Sequence, residues 1–192
     1  MQFEDGGLLV RILQDDDAFI LCRWLNNPAV LAFYDGRDRV YDIDMIRAKF
    51  FDDTRANRPL GHLVLWQDTP LGYIQTYLVG AREREIYGYS SELSKVYGMD
   101  LFLGEPDRWN QGIGTTLVRS VANQLFREYH AAAVVVDPRT DNLRAVHVYE
   151  KCGFAKLKLM QGHEWHEGQY RDCWIMEWKP SSVAKERRRP TP

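Results

Sequence analysis

The run from Lys95 to Asp137 constrains the fold more than any other part of the chain. KVYGMDLFLG (95–104) is an apolar, strand-like segment with one carboxylate, Asp100, in its middle. GIGTTLVRSVANQLFREYH (112–130) carries apolar residues at helical spacing. AAAVVVD (131–137) is continuously apolar, the pattern of a strand buried on both faces. A strand, a long helix and a buried strand in that order form a crossover unit, whose two strands lie parallel.

Around this unit the chain reads differently. LLVRIL (8–13) is a strand, DDDAFILCRWLN (15–26) a helix opened by acids at its positive end, NPAVLAFYDGRDRVYD (27–42) an aromatic loop and IDMIRAKFFDD (43–53) a second helix. GHLVLWQDTPLGYIQTYLVG (61–80) is a hairpin about an Asp-Thr-Pro turn, and residues 81–95 read as a long polar loop. NLRAVHVYEKCGF (142–154) is a helix with Gly153 as its C-terminal stop. AKLKLMQ and YRDCWIMEW follow as antiparallel strands joined by GHEWHEG. The order β α α β β β α β α β β predicts an α/β chain with a mixed sheet: one β-α-β unit among antiparallel strands, not a doubly wound fold.

Composition narrows the partners. Residues 1–178 hold 20 Lys and Arg against 26 Asp and Glu, whereas KPSSVAKERRRPTP (179–192) holds five basic residues and one acid. The expected organisation is one domain over 1–178 and a basic, disordered tail over 179–192. An acidic body argues against nucleic acid and suits a cationic partner. No run of eighteen apolar residues exists and the N-terminus lacks a secretory pattern, so neither a membrane span nor export is expected. Cys22, Cys152 and Cys173 have no C-x-x-C spacing and fit reduced thiols in a cytoplasmic monomer or homodimer. His163 and His166 in HEWH have ligand-like spacing but no third ligand nearby, so no metal is expected.

The turn before the long helix, Asn110, Gln111, Gly112, Ile113, Gly114, Thr115, raises the functional question. Free backbone N–H groups and the helix dipole at such a start attract anions, and glycines let a bulky phosphate approach the backbone. A dinucleotide fingerprint would need glycine at 117, which is Leu117, and the lysine of a Walker loop is absent. On the glycines alone, a tight turn and a phosphate cradle both fit. Asp100 is costly in an apolar strand unless paired, by an arginine of this chain or by a substrate ammonium. Asp137 at the end of the next parallel strand is either a second acid of the same crevice or a strand-end cap. Tyr149, two helical turns after Asn142, fits a core aromatic by periodicity.

WNQGIGTTLV and DPRTDNLRAVHVYEKCGF together resemble the GCN5-related N-acetyltransferase (GNAT) superfamily. Its second pattern, N-x-x-A-x-x-x-Y-x-x-x-G-F, is complete in Asn142, Ala145, Tyr149, Gly153 and Phe154; its glycine loop departs at Trp109, where Gln or Arg is usual. YGMD, GEP and HEWHEGQYRDCWIMEW narrow the likeness, over residues 8–178, to the aminoglycoside 6'-N-acetyltransferases, including the acetyltransferase half of the bifunctional acetyltransferase–phosphotransferase. No phosphotransferase activity is implied.

The resemblance implies acetyl-CoA as cosubstrate, with its pyrophosphate on residues 110–115 and its pantetheine along Leu101, Phe102 and Leu103 and beside Asn142 and Ala145. It makes Asp100 the carboxylate that positions the 6'-amine and accepts its proton, and Tyr149 the acid that protonates the leaving thiolate. Trp24, Tyr34, Asp35, Gln75, Tyr77 and Asp137 are then the expected wall for a small polycationic aminoglycoside. Alternative readings are the same fold acetylating another small amine or a protein N-terminus, and a non-catalytic acyl-CoA-binding module. Turnover on a panel of acceptors separates them.

Overall fold

The computed structural model describes residues 1–51, 59–90 and 95–180. In chain order its elements are β1 (Phe3–Asp5), β2 (Leu8–Ile12), α1 (Asp17–Trp24), α2 (Pro28–Leu31), α3 (Ile43–Phe50), β3 (Leu60–Trp66), β4 (Thr69–Leu78), α4 (Ala81–Tyr87), β5 (Val96–Leu103), α5 (Ile113–Tyr129), β6 (Ala133–Val136), α6 (Leu143–Lys151), β7 (Ala155–His166) and β8 (Gln169–Trp178). The eight strands form one sheet in the order β1-β2-β3-β4-β5-β6-β8-β7. Only β5 and β6 run parallel, as the crossover predicts.

Strand alternation divides the core into two layers. Val10, Val64, Ile74 and Met99 turn to the face covered by α5 and α6, where Leu117, Val118, Val121, Leu125 and Val146 complete one cluster. Leu63, Leu65, Tyr73 and Phe102 turn to the face covered by α1 and α3, against Leu21, Trp24, Ile46 and Phe50. Acids fix the starts of α3 and α1. The Asp42 carboxylate accepts the Met45 N–H at 2.7 Å. Asp17 accepts the Gln14 N–H at 2.7 Å and both Arg11 guanidinium nitrogens at 2.7 and 2.8 Å, tying α1 to β2.

The parallel pair is short. β5 and β6 pair at Val96 with Ala133, Tyr97 with Val134 and Gly98 with Val135, and no further. β5 continues to Leu103 with β4, whereas the chain beyond β6 stays with β8, where the Trp174 N–H donates to the Pro138 carbonyl at 2.9 Å. The sheet therefore opens as a wedge between Met99–Leu103 and residues 136–138.

Several boundaries differ from expectation. Residues 81–87 are helix α4, not loop; none of its residues is buried, so it has no apolar stripe for periodicity to detect. The β3–β4 turn is Gln67-Asp68, both at positive φ (49° and 62°), so Thr69 and Pro70 already belong to β4. β7 runs through GHEWH to His166 and turns at Glu167-Gly168, which places His163 and His166 on a strand. β1 and α2 were unanticipated elements within the N-terminal segment and the aromatic loop. Residues 181–192 of the basic tail lie outside the described residues.

Gly104 follows β5 where the chain crosses the Trp24 ring, and a Cβ there would overlap that ring. The Gly104→Ala variant is expected to lose about 1–3 kcal/mol through overpacking, read as a lower urea midpoint with an unchanged m-value.

Candidate active site

Asp100 stands directly opposite Gln75 in the β4–β5 register. Gln75 Nε2 donates to its Oδ2 at 2.6 Å, and the Gln75 Oε1 in turn accepts the Tyr73 hydroxyl at 2.8 Å, which fixes the amide's orientation. The Tyr77 hydroxyl donates to the other oxygen, Oδ1, at 3.3 Å. Its partners are thus neutral, and among the described residues Asp100 has no arginine or lysine partner. Burial, with Asp137 as a second and repulsive cause, pushes the carboxyl up to about 6 against the lowering effect of its two hydrogen bonds.

Asp137 follows β6 on the other side of the wedge. Its Oδ2 lies 3.2 Å from His163 Nε2, a contact that raises the histidine's pKa. Behind this pair, the buried Arg139 side chain (5% exposed) holds Asp141 at 3.0 Å, Glu164 at 3.3 Å, His166 Nδ1 at 2.8 Å and the Ala32 carbonyl at 2.8 Å. This network ties the end of β6 to β7 and to the α2 segment. Tyr87 of α4 feels both Asp137 and Asp100, and its ring lies 6.2 Å from that of His163. The crevice is therefore flanked by Asp100 and Asp137, with phenols and an imidazole between them.

On the far side of the wedge lies a cavity of about 330 Å³. It is lined by the end of β5 (Leu101, Phe102, Leu103), the start of α5 (Asn110, Gly112, Gly114, Thr115) and one face of α6 (Asn142, Ala145, Tyr149). Gly112 caps α5 at φ 83°, with nothing within 4 Å of where a Cβ would stand. That conformation favours glycine, and it leaves the helix's first N–H groups facing open space. Past Gly98 the edge of β5 that faces β6 has lost its strand partner, so its peptide groups are available to an amide-bearing chain. Tyr149 is nearly buried, its ring 5.5 Å from Phe154, and its hydroxyl has no hydrogen-bond partner among the described residues. Burial first, then Asp100 and Asp137, hold the phenol well above its ordinary pKa, so it stays protonated.

Not every expected residue takes its expected place. Trp24 is core, 1% exposed, with its indole N–H donating to Glu105 at 2.9 Å, so it cannot wall a substrate site. Asp35 is committed to Lys49 and to the Tyr41 hydroxyl. Tyr34 is half-buried against Phe102, ring centroids 4.7 Å apart. Gln75 and Tyr77 are spent on orienting Asp100 and are not a free wall. Within the glycine turn, Ile113 turns into the core and the Gln111 amide donates to the Asp107 carbonyl at 2.9 Å, so these two offer backbone only. Asn142 is the α6 N-cap, its Oδ1 accepting the Ala145 N–H at 3.2 Å. Trp109 donates its indole N–H to the Leu103 carbonyl at 2.9 Å, tying the turn to the strand end.

Sequence reasoning missed Tyr73, Tyr87, Glu164 and the acid-bound role of His163. On the cavity side it missed Phe33, Arg144, His147 and Lys151. The last three recur at helical spacing in the same segment as Asn142 and Tyr149, a signal that was present but unused.

The groove thus runs along the part of β5 that has parted from β6, next to the half-buried Asp100. The chain belongs to the acetyltransferase (GNAT) domain family, whose profile matches residues 14–161. It is similar to the aminoglycoside N(6')-acetyltransferase type 1 of Klebsiella pneumoniae, 26% identical over 156 residues that cover 79% of this chain and 76% of that protein. A 61-residue stretch is 38% identical to a kanamycin resistance protein of Rhizobium radiobacter, covering 32% of this chain and 56% of that one. Among solved structures, AAC(6')-Ib in complex with ribostamycin and coenzyme A matches with a TM-score of 0.75 at 22% identity, over 95% of this chain and 98% of that one. Spermidine N-acetyltransferase from Vibrio cholerae, in complex with CoA and spermine, matches at 0.72 and 18% identity, over 91% and 96%. At these identities the structural matches establish the fold.

The Asp100 environment has a consequence for stability. The folded carboxyl keeps its proton to about pH 6, against 3.8 for the free group. Between those values the folded state binds more protons, so this group's contribution to stability falls as pH rises through the window. Asp100→Asn removes that cost. The variant is expected to be more stable than wild type at pH 7, by on the order of 1–2 kcal/mol, and to show no such gain at pH 4. Thermal melts at the two pH values measure the difference.

Proposed function

We propose that the protein moves an acetyl group from acetyl-CoA to the 6'-amine of an aminoglycoside, a modification that confers resistance by removing a positive charge from the drug. One observation carries this reading. A carboxylate with only neutral partners, Asp100, feels a second one, Asp137, and directly precedes the β5 residues Leu101–Leu103 that line a cavity shared with Tyr149, whose hydroxyl has no partner among the described residues. The similarity to the aminoglycoside N(6')-acetyltransferase of Klebsiella pneumoniae supports the acceptor class.

The donor supplies an activated acetyl carbonyl; the chain supplies position and proton transfer. Asp100 and Asp137 hold the ammonium, and Asp100, poised near pH 6 by burial, accepts its proton directly or through a water. The amine nitrogen then bonds to the acetyl carbon as the carbon–sulfur bond breaks. Tyr149, protonated at neutral pH, gives its proton to the leaving sulfur and regains one from the nitrogen's second proton by way of solvent. Amide and free thiol leave with one net proton released. Peptide N–H groups on the open edge of β5 suit the pantetheine and the carbonyl oxygen. Cys173, whose thiol faces the Glu164 carboxylate at 3.9 Å, is pushed up to about 12, first by burial, so it offers no thiolate, which favours direct transfer without an acyl-enzyme. The groups that would face the acceptor are Tyr87 and His163 as well as the two acids.

The test is thiol release from acetyl-CoA with a panel of aminoglycosides bearing or lacking a free 6'-amine, and with spermidine. Turnover is expected only where the 6'-amine is present. It should rise with pH, levelling above about pH 6 as Asp100 ionises, and fall about 100-fold or more in Asp100→Asn, with loss of that pH limb. Turnover of spermidine alone would replace the acceptor, and an unaltered rate in Asp100→Asn would remove the assigned base. Tyr149→Phe is expected to lower kcat about 10- to 100-fold with little change in acceptor KM, measured by steady-state kinetics.

A further inference from the structure

His163 reaches the acidic crevice through an irregularity in its strand. Met160 pairs with Cys173 and Glu164 with Arg171, so residues 161–163 of β7 stand against Asp172 alone. Gly162 adopts a positive φ of 57°, and its N–H donates to the Asp172 carboxylate at 2.8 Å, which pins the bulge. Bulges re-aim the side chains they carry. This one brings the His163 imidazole to Asp137, Nε2 to Oδ2 at 3.2 Å.

The contact is open to exchange. The His163 and Asp137 side chains stay 25% and 35% exposed, and pairs so placed are weak. Among the described residues, no lysine or arginine bonds Asp137, and His163 is the one side chain that does. Two charges act on the imidazole: Asp137 first, which raises its pKa, and Glu164 of the same strand second. Glu164 is already held by Arg139 at 3.3 Å. Tyr87 of α4 adds a ring 6.2 Å away. Asp100 of β5, Tyr77 of β4, Tyr149 of α6 and Cys173 of β8 share the field of the Asp137 carboxylate. Asp100 changes charge near pH 6, and burial keeps the three phenols and the thiol protonated well above neutrality. His163 is thus the member of this set whose charge changes at neutral pH.

We infer that His163 sets acceptor affinity by acting as a removable counter-ion of Asp137. As imidazolium it occupies the carboxylate; as neutral imidazole it leaves the negative charge to the acceptor's ammonium. The inference rests on the acceptor reading given above, and it separates two roles within the acid pair. Asp100 governs proton removal, Asp137 governs binding, and His163 sets the pH range of the second. The sign follows from competition, since imidazolium and ammonium oppose each other at one carboxylate. Affinity therefore rises with pH through the imidazole's range above 6.5, and bound acceptor lowers the imidazole's pKa by the same factor.

Acceptor KM and kcat measured between about pH 6.5 and 8 test it, with an aminoglycoside that the acceptor panel shows to be turned over. In wild type, KM is expected to fall about 3- to 10-fold across this range, a tenfold change answering to one pKa unit, while kcat has already levelled with Asp100. His163→Gln, never charged, should hold the low KM throughout, and His163→Lys, always charged, the high one. The kcat limb near pH 6 should remain in both. A second readout uses wild type alone. Its His163 resonances, titrated by NMR in the presence of CoA, should show a lower midpoint with saturating acceptor than without it. A KM that falls equally in His163→Gln, or an imidazole midpoint that acceptor leaves in place, would overturn the inference while leaving the acceptor reading intact. Absence of turnover on every 6'-amine aminoglycoside would remove that reading and the inference with it.

Discussion

Everything distinctive in this structure depends on where one row of backbone hydrogen bonds stops. β5 and β6 pair over only three residues each, to Gly98 and Val135. Beyond that point each strand keeps its other neighbour, β4 or β8, and the two halves of the sheet part. An unpaired, desolvated peptide group costs about 1–3 kcal/mol, so a sheet does not stay open for several residues without groups that hold the halves apart. Two such groups are visible. On one side, Gln75 and Tyr77 stitch β4 to Asp100 of β5. On the other, Arg139 fastens the chain after β6 to β7 and to the α2 segment. The wedge is thus a framed opening, and its exposed peptide edge is the feature an extended, amide-bearing donor would complete.

The frame also sorts charge. Asp100 and Asp137 stand on one side of the wedge, with Glu164 bound to Arg139 behind them, and on the other stand Arg144 and Lys151, which have no carboxylate partner among the described residues. Tyr149 stands between, its proton held on first by burial and then by the two aspartates. On the proposed chemistry, a polyanionic donor and a polycationic acceptor must meet at a single carbon–sulfur bond without their charged ends pairing with each other. Separate fields of opposite sign, in a site of low dielectric, align the two ligands end to end before any contact forms.

The sequence made the wedge legible and its frame largely illegible. Asp100 could be placed within one strand and Asp137 at the end of its parallel neighbour because the crossover pattern from Lys95 to Asp137 is unambiguous. The α5 start and the α6 stop at Gly153 were readable for the same local reason. The expected substrate wall fared worse. Trp24 sits three residues after Leu21 on an amphipathic helix, a spacing that already describes a core position, and the structure puts it there. Asp35 found Lys49 across fourteen residues of chain, a pairing that no local pattern encodes. Helix α4, with no buried face, hid Tyr87 within an apparent loop. The Arg139 network joins residues over a hundred positions apart. Side chains whose partners are set by local geometry can be read from a single chain; those set by tertiary contact cannot.

Asp100 shows why its partners matter more than its burial. An arginine in place of Gln75 would satisfy the carboxylate, pull its pKa down and leave a spent ion pair, poor both as a base and as an anchor for a new cation. Two neutral donors do something else. They fix both oxygens and soften the cost of burial, but they leave the negative charge uncompensated, and Asp137 across the wedge keeps it so. The charge is then completed by whatever cation enters the crevice. An ammonium between Asp100 and Asp137 relieves a repulsion built into the empty fold, so part of its binding energy is already stored there as the cost of keeping two acids close. The same arrangement keeps Asp100 near its midpoint just below neutral pH, where a carboxyl can receive a proton from the ammonium it has drawn in. On the proposed chemistry, recognition of the acceptor and activation of its nitrogen are two effects of one unsatisfied charge.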